Sequence, residues 1–297
     1  MNAAVFTELA RQGYDELQGW NASLLKVAIT RSPAHAWAAF RDPNRPARKD
    51  SAAFRIGTLL HQALLEPEVW EQLLPCSLGS TTKAFKEAAA KAADDGRTLV
   101  QAGEYELASA MATSIRRHAV LGNLFTAEHR RLNELTLHWR DQVTGHQCKA
   151  RLDAVRINAE EITILDLKTT ADAGLAEFGR SAATFGYILQ AAFYADGVFH
   201  CARALEAAIG LREGELIGRS IAFEFVAVEK EPPYMVARYR LTADQAAMGR
   251  RLYRRALELV TAADELDYWP GYDIASQPLE LPNWAWQSME RLLSDDQ

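Results

Sequence analysis

The spacing of apolar residues changes near residue 132, from the three-to-four-residue period of amphipathic helices to the alternation of strands. Before this point, the pattern predicts a mainly helical N-terminal part over residues 1–122, with helices at 51–74, 82–94 and 104–118. We therefore expect the first third of the chain to be a helical elaboration on a sheet that begins later.

Alternation of apolar and polar residues predicts a sheet core over residues 130–241. Leu135, Leu137 and Trp139 fall on one face of the first strand, and short polar turns separate it from the next two strands. Three consecutive strands joined by short turns indicate an antiparallel meander. Further segments follow: a helical stretch at 174–209, strands at 221–228 and 234–241, a helix at 243–264, and an irregular packed arm with Trp269, Trp284 and Trp286 within the C-terminal part, 242–297.

Composition predicts an ordinary globular protein, which we interpret as one domain spanning 1–297 with an α/β (α+β) fold. Hydrophobic residues make up 48% and charged residues 24% of the 297 positions. The sequence has no run of 18 apolar residues, so we expect no membrane span. The first residues also lack the pattern of a signal peptide. We therefore expect a cytoplasmic protein without a membrane partner. Three scattered cysteines provide neither a disulfide framework nor the four thiolates of an iron–sulfur cluster. The net charge of −6 argues against a broadly basic surface but permits local basic clusters.

A short strand at 162–170 carries the most informative charges. Ile162, Ile164, Asp166 and Lys168 share one face, because side chains alternate along a strand. The two charges lie about 7 Å apart, and burying them is costly unless they pair or meet a metal and a substrate. With Asp153 thirteen residues upstream, this is the acidic spacing of a metal-dependent nuclease, although Asp-x-Lys by itself is common in surface salt bridges.

Other candidates for the same site are spread along the chain. His61 lies within an apolar helix, where a histidine is more often a core residue, but Gly57 leaves open space on its face of the helix. Glu134 lies on the polar face of its strand. Gln190 and Tyr194 are four residues apart and share a helical face, which is also a common packing arrangement.

Two basic segments have open interpretations. Arg250, Arg251, Arg254 and Arg255 can follow DNA phosphates or pair with acids of the same chain. The basic loop at 41–49 can contact phosphate or be merely solvated.

Taken in order, these motifs resemble one superfamily. They are Gly-Thr-x-x-His61-x-x-x-Leu-Glu-Pro, Glu134, Asp153, Asp166-x-Lys168-Thr-Thr and Gln190-x-x-x-Tyr194. The chain is similar to the PD-(D/E)xK nucleases and, within them, to the catalytic domains of the exodeoxyribonuclease VIII type from phages and prophages. The likeness covers residues 21–198, and Arg-Leu-Asp153 stands where the superfamily has Pro-Asp.

The resemblance implies a restriction-endonuclease-like mixed sheet flanked by helices, and roles for particular residues. Asp153, Asp166 and the backbone carbonyl of Leu167 would bind Mg²⁺, for which Mn²⁺ can substitute. Glu134 would complete a second metal position or position a water, and His61 would bind that second metal or contact the phosphate. Lys168 would orient or deprotonate the attacking water and offset charge in the transition state. Gln190 and Tyr194 would hold the DNA backbone or Lys168 by hydrogen bonds, and Thr169 would contact DNA. The likeness is less clear after about residue 210, so Arg250 and Arg254 are candidates for DNA contact on charge alone.

The resemblance also implies a biological setting. It describes an exonuclease that acts 5′→3′ on the ends of double-stranded DNA, forms a ring-like homo-oligomer and leaves 3′ strands for a single-strand annealing protein in recombination. Two alternatives stay open: a non-catalytic DNA-binding or assembly protein on a nuclease fold, and an endonuclease of the same superfamily.

Overall fold

A computed structural model describes residues 3–45, 51–125, 131–272, 275 and 278–294 of the chain. Within these residues, no helix combines the length and hydrophobicity needed to cross a bilayer.

The strands form one mixed sheet and one small parallel pair among the described residues. In chain order they are β1 (Ala3–Phe6), β2 (Leu73–Cys76), β3 (Thr98–Gln101), β4 (Arg131–Arg140), β5 (Gln147–Ile157), β6 (Glu161–Thr170), β7 (Ser220–Glu229) and β8 (Val236–Arg240). The large sheet has the order β1-β4-β5-β6-β7-β8, with β6 and β7 parallel and its other neighbours antiparallel. The antiparallel meander predicted for its centre is confirmed.

The described helices cover both faces of this sheet. They are α1 (Arg11–Glu16), α2 (Ala22–Thr30), α3 (Pro33–Phe40), α4 (Ala52–Leu65), α5 (Pro67–Trp70), α6 (Lys83–Asp94), α7 (Ala102–Arg117), α8 (Leu121–Leu124), α9 (Leu175–Phe185), α10 (Tyr187–His200), α11 (Ala202–Ala208), α12 (Ala243–Glu265) and α13 (Asn283–Ser294). Several begin at a polar cap: Ser51 accepts a hydrogen bond from the backbone N–H of Phe54 at the start of α4, and Thr242 forms a capping box with Gln245 on α12.

Two hydrophobic cores lie on opposite faces of the sheet. On one face, Ile162 and Ile164 pack in a cluster with residues of α10 and α12. On the other face, Leu165 and Leu167 pack in a cluster with residues of α4 and α7. The mixed α/β architecture predicted from the sequence, a sheet flanked by helices, is therefore confirmed.

The sheet forks between β5 and β6. Their pairing runs from Ile157 opposite Ile162 to Ala154 opposite Leu165 and stops there. Beyond that point β6 continues along β7 as far as Thr170, while β5 continues along β4. The next two residues, Asp153 and Asp166, therefore stand on opposite sides of the opening.

Several details differ from the predictions. The helix predicted over 51–74 ends at Leu65, because Pro67 begins a separate turn, and the strands β1, β2 and β3 were not predicted. The C-terminal arm was predicted to be irregular and packed, and only part of it is. Trp269 does stack on Trp20, but Trp284 and Trp286 lie on α13 with 71% and 54% of their surface exposed.

Two expectations have no structural outcome. The basic loop predicted at 41–49 lies partly outside the described residues, from residue 46 onward. The interpretation of the chain as a single domain stays a prediction.

The close packing of α10 on α12 gives a test of the fold. A methyl group at Gly249 would lie 2.0 Å from the carbonyl oxygen of Ile188, so Gly249→Ala should separate the helices and lower the free energy of unfolding by roughly 1–3 kcal/mol. Gly179→Ala is the matched control, because its methyl group on α9 would meet nothing within 4 Å and should stabilise the helix. Chemical denaturation measures both, and equal stabilities would contradict the packing.

Candidate metal centre at the fork of the sheet

The fork brings two carboxylates to the same opening. Because β5 turns away from β6 here, the backbone N–H of Leu167 has no strand partner on that side and donates instead to Asp153 Oδ2, at 2.7 Å. Asp166 lies one position before Leu167 and is almost fully buried. The break in strand pairing therefore both exposes backbone donors and places the acids around them.

His61 and Glu134 join Asp153 from two other elements. From α4, His61 Nδ1 lies 3.4 Å from Glu134 Oε1, and His61 Nε2 lies 3.6 Å from Asp153 Oδ2. One ligand atom from each of the three residues lies within 4.8 Å of the others. The three therefore form a compact set of nitrogen and oxygen donors.

Glu134 reaches this set through an interruption of the sheet. The pairing of β4 with β5 is regular except that it omits Glu134 and Asp153, and Glu134 has a φ of 49°. A non-glycine residue in the left-handed region is uncommon and costs about 1–3 kcal/mol, a cost typically found at functional sites. Leu132 and Leu135, three residues apart, consequently pack against the same core.

Lys168 and Asp166 form the second half of the site, beneath α10. The ammonium of Lys168 contacts Asp166 Oδ2, and Gln190 Nε2 donates to Asp166 Oδ1 at 2.8 Å. The same ammonium lies 4.9 Å from the centre of the Tyr187 ring. Tyr194, one turn after Gln190, is half-buried nearby, and burial raises the pKa of its hydroxyl well above the ordinary value.

The electrostatics of His61 and Asp153 are those of a site that needs a cation. Burial of Asp153, opposed by His61 and reinforced by Asp166 and Glu134, raises the pKa of its carboxyl to about 7. For His61, burial disfavours the imidazolium, but Asp153 and Glu134 outweigh this effect and raise its pKa to about 9. The acids therefore favour a positive charge at this position, which a metal ion can supply.

The neighbouring groups are held in their charged forms. Burial opposes the charge of Lys168, but Asp166 and Asp153 more than compensate and raise the pKa of the ammonium. Burial likewise opposes the charge of Glu134, yet His61 and Arg151 lower the pKa of its carboxyl. Lys168 therefore carries a positive charge beside the acids.

This donor set fits a divalent cation. Carboxylate oxygens suit Mg²⁺ and Mn²⁺, and an imidazole nitrogen is compatible with Mn²⁺ and later transition metals. Among the described residues, His61, Glu134 and Asp153 lie close enough together to bind one ion. The ligand role predicted for Asp166 stays a prediction, since its oxygens contact Gln190 and Lys168. The ligand role predicted for the carbonyl of Leu167 stays a prediction, since the contact seen at this residue is made by its N–H.

The residues predicted to contact DNA lie in different surroundings. Gln190 and Tyr194 are at the site, and Thr169 follows Lys168 on β6, opposite Val228. The two arginines instead make ion pairs within the chain. Arg250 binds Asp196 of α10 through two hydrogen bonds of 2.8 and 2.6 Å, and Arg254 contacts Asp141. These pairs hold α12 against the body of the protein, and DNA contact by either arginine stays a prediction.

Three further residues of the site were missed by the sequence analysis. Arg151 is buried and contacts Glu134, Glu66 lies 3.7 Å from Arg151, and Tyr187 faces Lys168. A signal for Arg151 was present, since Lys149, Arg151 and Asp153 alternate with the apolar residues of β5. Charged residues on one face of a central strand indicate buried ion pairs.

Comparisons with known proteins show which family and which solved structure this chain is similar to. A family model described as a PDDEXK-like domain of unknown function (DUF3799) matches residues 22–277. A "putative exonuclease" from Eubacterium rectale has a similar structure, with a TM-score of 0.58 and 11% identity over 93% of this chain and 96% of that one. This likeness shows a shared fold.

Other comparisons are weaker. The protein SSO0001 has a TM-score of 0.27 at 14% identity, over 81% of this chain and 94% of that one. Protein VC1899 from Vibrio cholerae has a TM-score of 0.23 at 11% identity, over 89% of this chain and 58% of that one. The curated proteins contain no match to the sequence.

The fit to a divalent cation predicts stabilisation by metal alone. Adding Mn²⁺ at 100 times its dissociation constant should raise the free energy of unfolding by about 2.7 kcal/mol, because the ion binds only the folded site. Asp153→Asn should abolish this gain, while Asp95→Asn, which removes an exposed acid of the turn after α6, should retain it. Thermal melts with Mn²⁺ and with EDTA measure the difference, and an equal gain in all three proteins would place the ion elsewhere.

Proposed function

Because the chain belongs to the family of PDDEXK-like domains, we propose that it is a metal-dependent nuclease that degrades linear double-stranded DNA from its ends. Family membership confirms the PD-(D/E)xK superfamily predicted from the sequence. The observation that carries the proposal is the convergence of His61, Glu134 and Asp153 with Asp166 and Lys168 at one fork of the sheet.

The site has the parts that phosphodiester hydrolysis requires. His61, Glu134, Asp153 and Asp166 would hold one or two divalent ions, proposed to be Mg²⁺ with Mn²⁺ as a substitute. Such an ion would supply a lowered water pKa and neutralisation of the phosphate oxygens. Asp166 keeps lone pairs for this role, because a carboxylate has four acceptor positions and the contacts with Gln190 and Lys168 use two of them.

Lys168 would supply the fixed positive charge of the reaction. Its ammonium is held between Asp166 and the face of Tyr187, so it donates from a defined position. There it would orient the attacking water and offset the negative charge that develops on the phosphate. Gln190 maintains this arrangement by fixing the other oxygen of Asp166.

Attack from DNA ends is the finer part of the proposal. It is supported by the sequence resemblance to exodeoxyribonuclease VIII-type enzymes, and the Eubacterium rectale protein that shares the fold is itself named a "putative exonuclease". By the same resemblance we propose 5′→3′ polarity, release of 3′ strands to a single-strand annealing protein, and a ring-like homo-oligomer. The polarity, the release of 3′ strands, the oligomeric ring and the cytoplasmic location are all parts of this proposal.

The proposal predicts metal-dependent loss of linear DNA that spares circles. A linear duplex labelled at one 5′ end should be degraded with Mg²⁺ and preserved with EDTA, while a covalently closed circle remains intact. Lys168→Ala should slow digestion on the order of 100-fold or more, because it removes the group that orients the water. Asp166→Ala should lose digestion to a similar degree, since it removes a ligand and the partner of Lys168.

Matched controls decide between the alternatives. Lys83→Ala removes an exposed lysine of α6, which pairs with Glu87, and should digest DNA like the wild type. Cutting of the circle would identify an endonuclease instead. Metal-independent binding of DNA with no cleavage of either substrate would favour a non-catalytic DNA-binding protein on this fold.

A further inference from the structure

Arg151 is a buried cation next to the metal centre that no step of the proposed reaction uses. Only 6% of its side chain is exposed. Its guanidinium contacts three segments that are distant in sequence: Nε donates to Glu134 Oε2, Nη1 donates to the carbonyl of Leu9 at 2.7 Å, and Nη2 lies 3.7 Å from Glu66 Oε1. A buried arginine with every edge engaged is fixed in position, because its fork is planar and rigid.

The contact with Glu134 divides the two oxygens of that carboxylate. Oε2 is taken by Arg151, and Oε1 points toward His61 Nδ1. The backbone of Glu134 adopts a left-handed conformation in a gap of the strand pairing, so neither the strand nor the sheet fixes its side chain. Arg151 therefore holds one oxygen of this carboxylate from behind, while the other oxygen faces His61.

The surrounding charges require a cation at this place. Glu66 and Glu134 both approach Arg151, and burial together with the charge of Glu134 raises the pKa of Glu66. Without the guanidinium, two half-buried carboxylates would repel each other, and Glu134 would be free to turn away from His61. The contact also reaches the last turn of α4, because Glu66 follows directly after the helix that carries His61.

We propose that Arg151 is a positioning residue of the metal centre: it holds Glu134 through Nε so that Oε1 faces the ion. The inference rests on the proposed function, because it concerns the same site. Partners that orient metal ligands from behind commonly contribute 10- to 100-fold to metal affinity. The donor at the Nε position, rather than the positive charge alone, is the property that matters.

Three substitutions separate the donor from the charge. Arg151→Gln places an amide nitrogen at the position of Nε without the charge, Arg151→Lys keeps the charge without that donor, and Arg151→Met removes both. Titration of each purified protein with Mn²⁺ in a calorimeter measures affinity without DNA or activity. We expect Arg151→Met and Arg151→Lys to bind Mn²⁺ about 10- to 100-fold more weakly than the wild type, and Arg151→Gln to recover part of this loss.

Arg238 provides a matched control elsewhere in the sheet. It donates from Nε to the buried carboxylate of Glu224 at 2.6 Å, on β8 and β7, and so forms a pair of the same kind. Arg238→Lys should lower the melting temperature as an ion-pair variant does, but leave Mn²⁺ affinity within about twofold. A comparable loss of affinity in this control would show a general effect on the fold and overturn the inference.

A double substitution tests whether Arg151 acts through Glu134. Glu134→Gln should weaken Mn²⁺ binding, and adding Arg151→Met should weaken it no further, because the two residues act on one ligand. Additive losses would contradict this route.

The remaining outcomes distinguish the inference from the function. Three outcomes would each overturn the positioning role while leaving the nuclease proposal in place. The first is wild-type-like Mn²⁺ affinity in all three Arg151 variants, and the second is wild-type-like affinity in Arg151→Lys alone. The third is failure of all three variants to fold. Absence of Mn²⁺ binding by the wild type would overturn the proposed metal-dependent function as well.

Discussion

The departure of β5 from β6 after Ala154 and Leu165 is the constraint on which the site depends. Inside a continuous sheet, the N–H of Leu167 would bond to a neighbouring strand, and Asp153 would face a neighbour across the ladder. At the fork, that N–H instead donates to the carboxylate of Asp153. One local loss of strand pairing therefore leaves a backbone N–H free to bind a carboxylate of the site, which a closed sheet cannot provide.

The second requirement is that charges of both signs alternate in space. Four acidic side chains lie near one another here: Glu66, Glu134, Asp153 and Asp166. On their own they would repel one another or take up protons. Each of three cationic groups contacts one of these acids: His61 contacts Asp153, Lys168 contacts Asp166, and Arg151 contacts Glu134. A cluster neutralised in this way can be buried, and it keeps ligand atoms of His61, Glu134 and Asp153 within 4.8 Å of one another. Burial, reinforced by the neighbouring acids, raises the pKa of Asp153, and a bound cation would oppose this effect.

How far the sequence predicts this arrangement depends on the range of the interaction. The faces of β6 follow from alternation, and the positions of Asp166 and Lys168 beside Ile162 and Ile164 were correctly predicted because strand geometry is local. The fork could not be predicted, because it depends on which strands pair and where they stop. The ion pairs of Arg250 and Arg254 were left open for the same reason, as their partners lie 54 and 113 residues away. Exposure of Trp284 and Trp286 was missed because an aromatic segment predicts packing only when a partner surface exists.

The N-terminal part of the chain is attached to the centre by the same strand that carries Asp153. Lys149, Arg151 and Asp153 alternate along β5 on the face opposite Cys148, Ala150 and Leu152, which belong to the core. Lys149 Nζ donates to the carbonyls of Tyr14 and Leu17 at the end of α1, at 2.8 and 2.7 Å, and Arg151 donates to that of Leu9. Lys149 therefore loses these acceptors, and Arg151 loses one of its partners, unless residues 9–17 are docked, and leaving a buried charge without partners is strongly unfavourable. Docking of the N-terminal segment, the orientation of Glu134 and the approach of His61 are thus parts of one electrostatic arrangement, and β5 is the element that joins them.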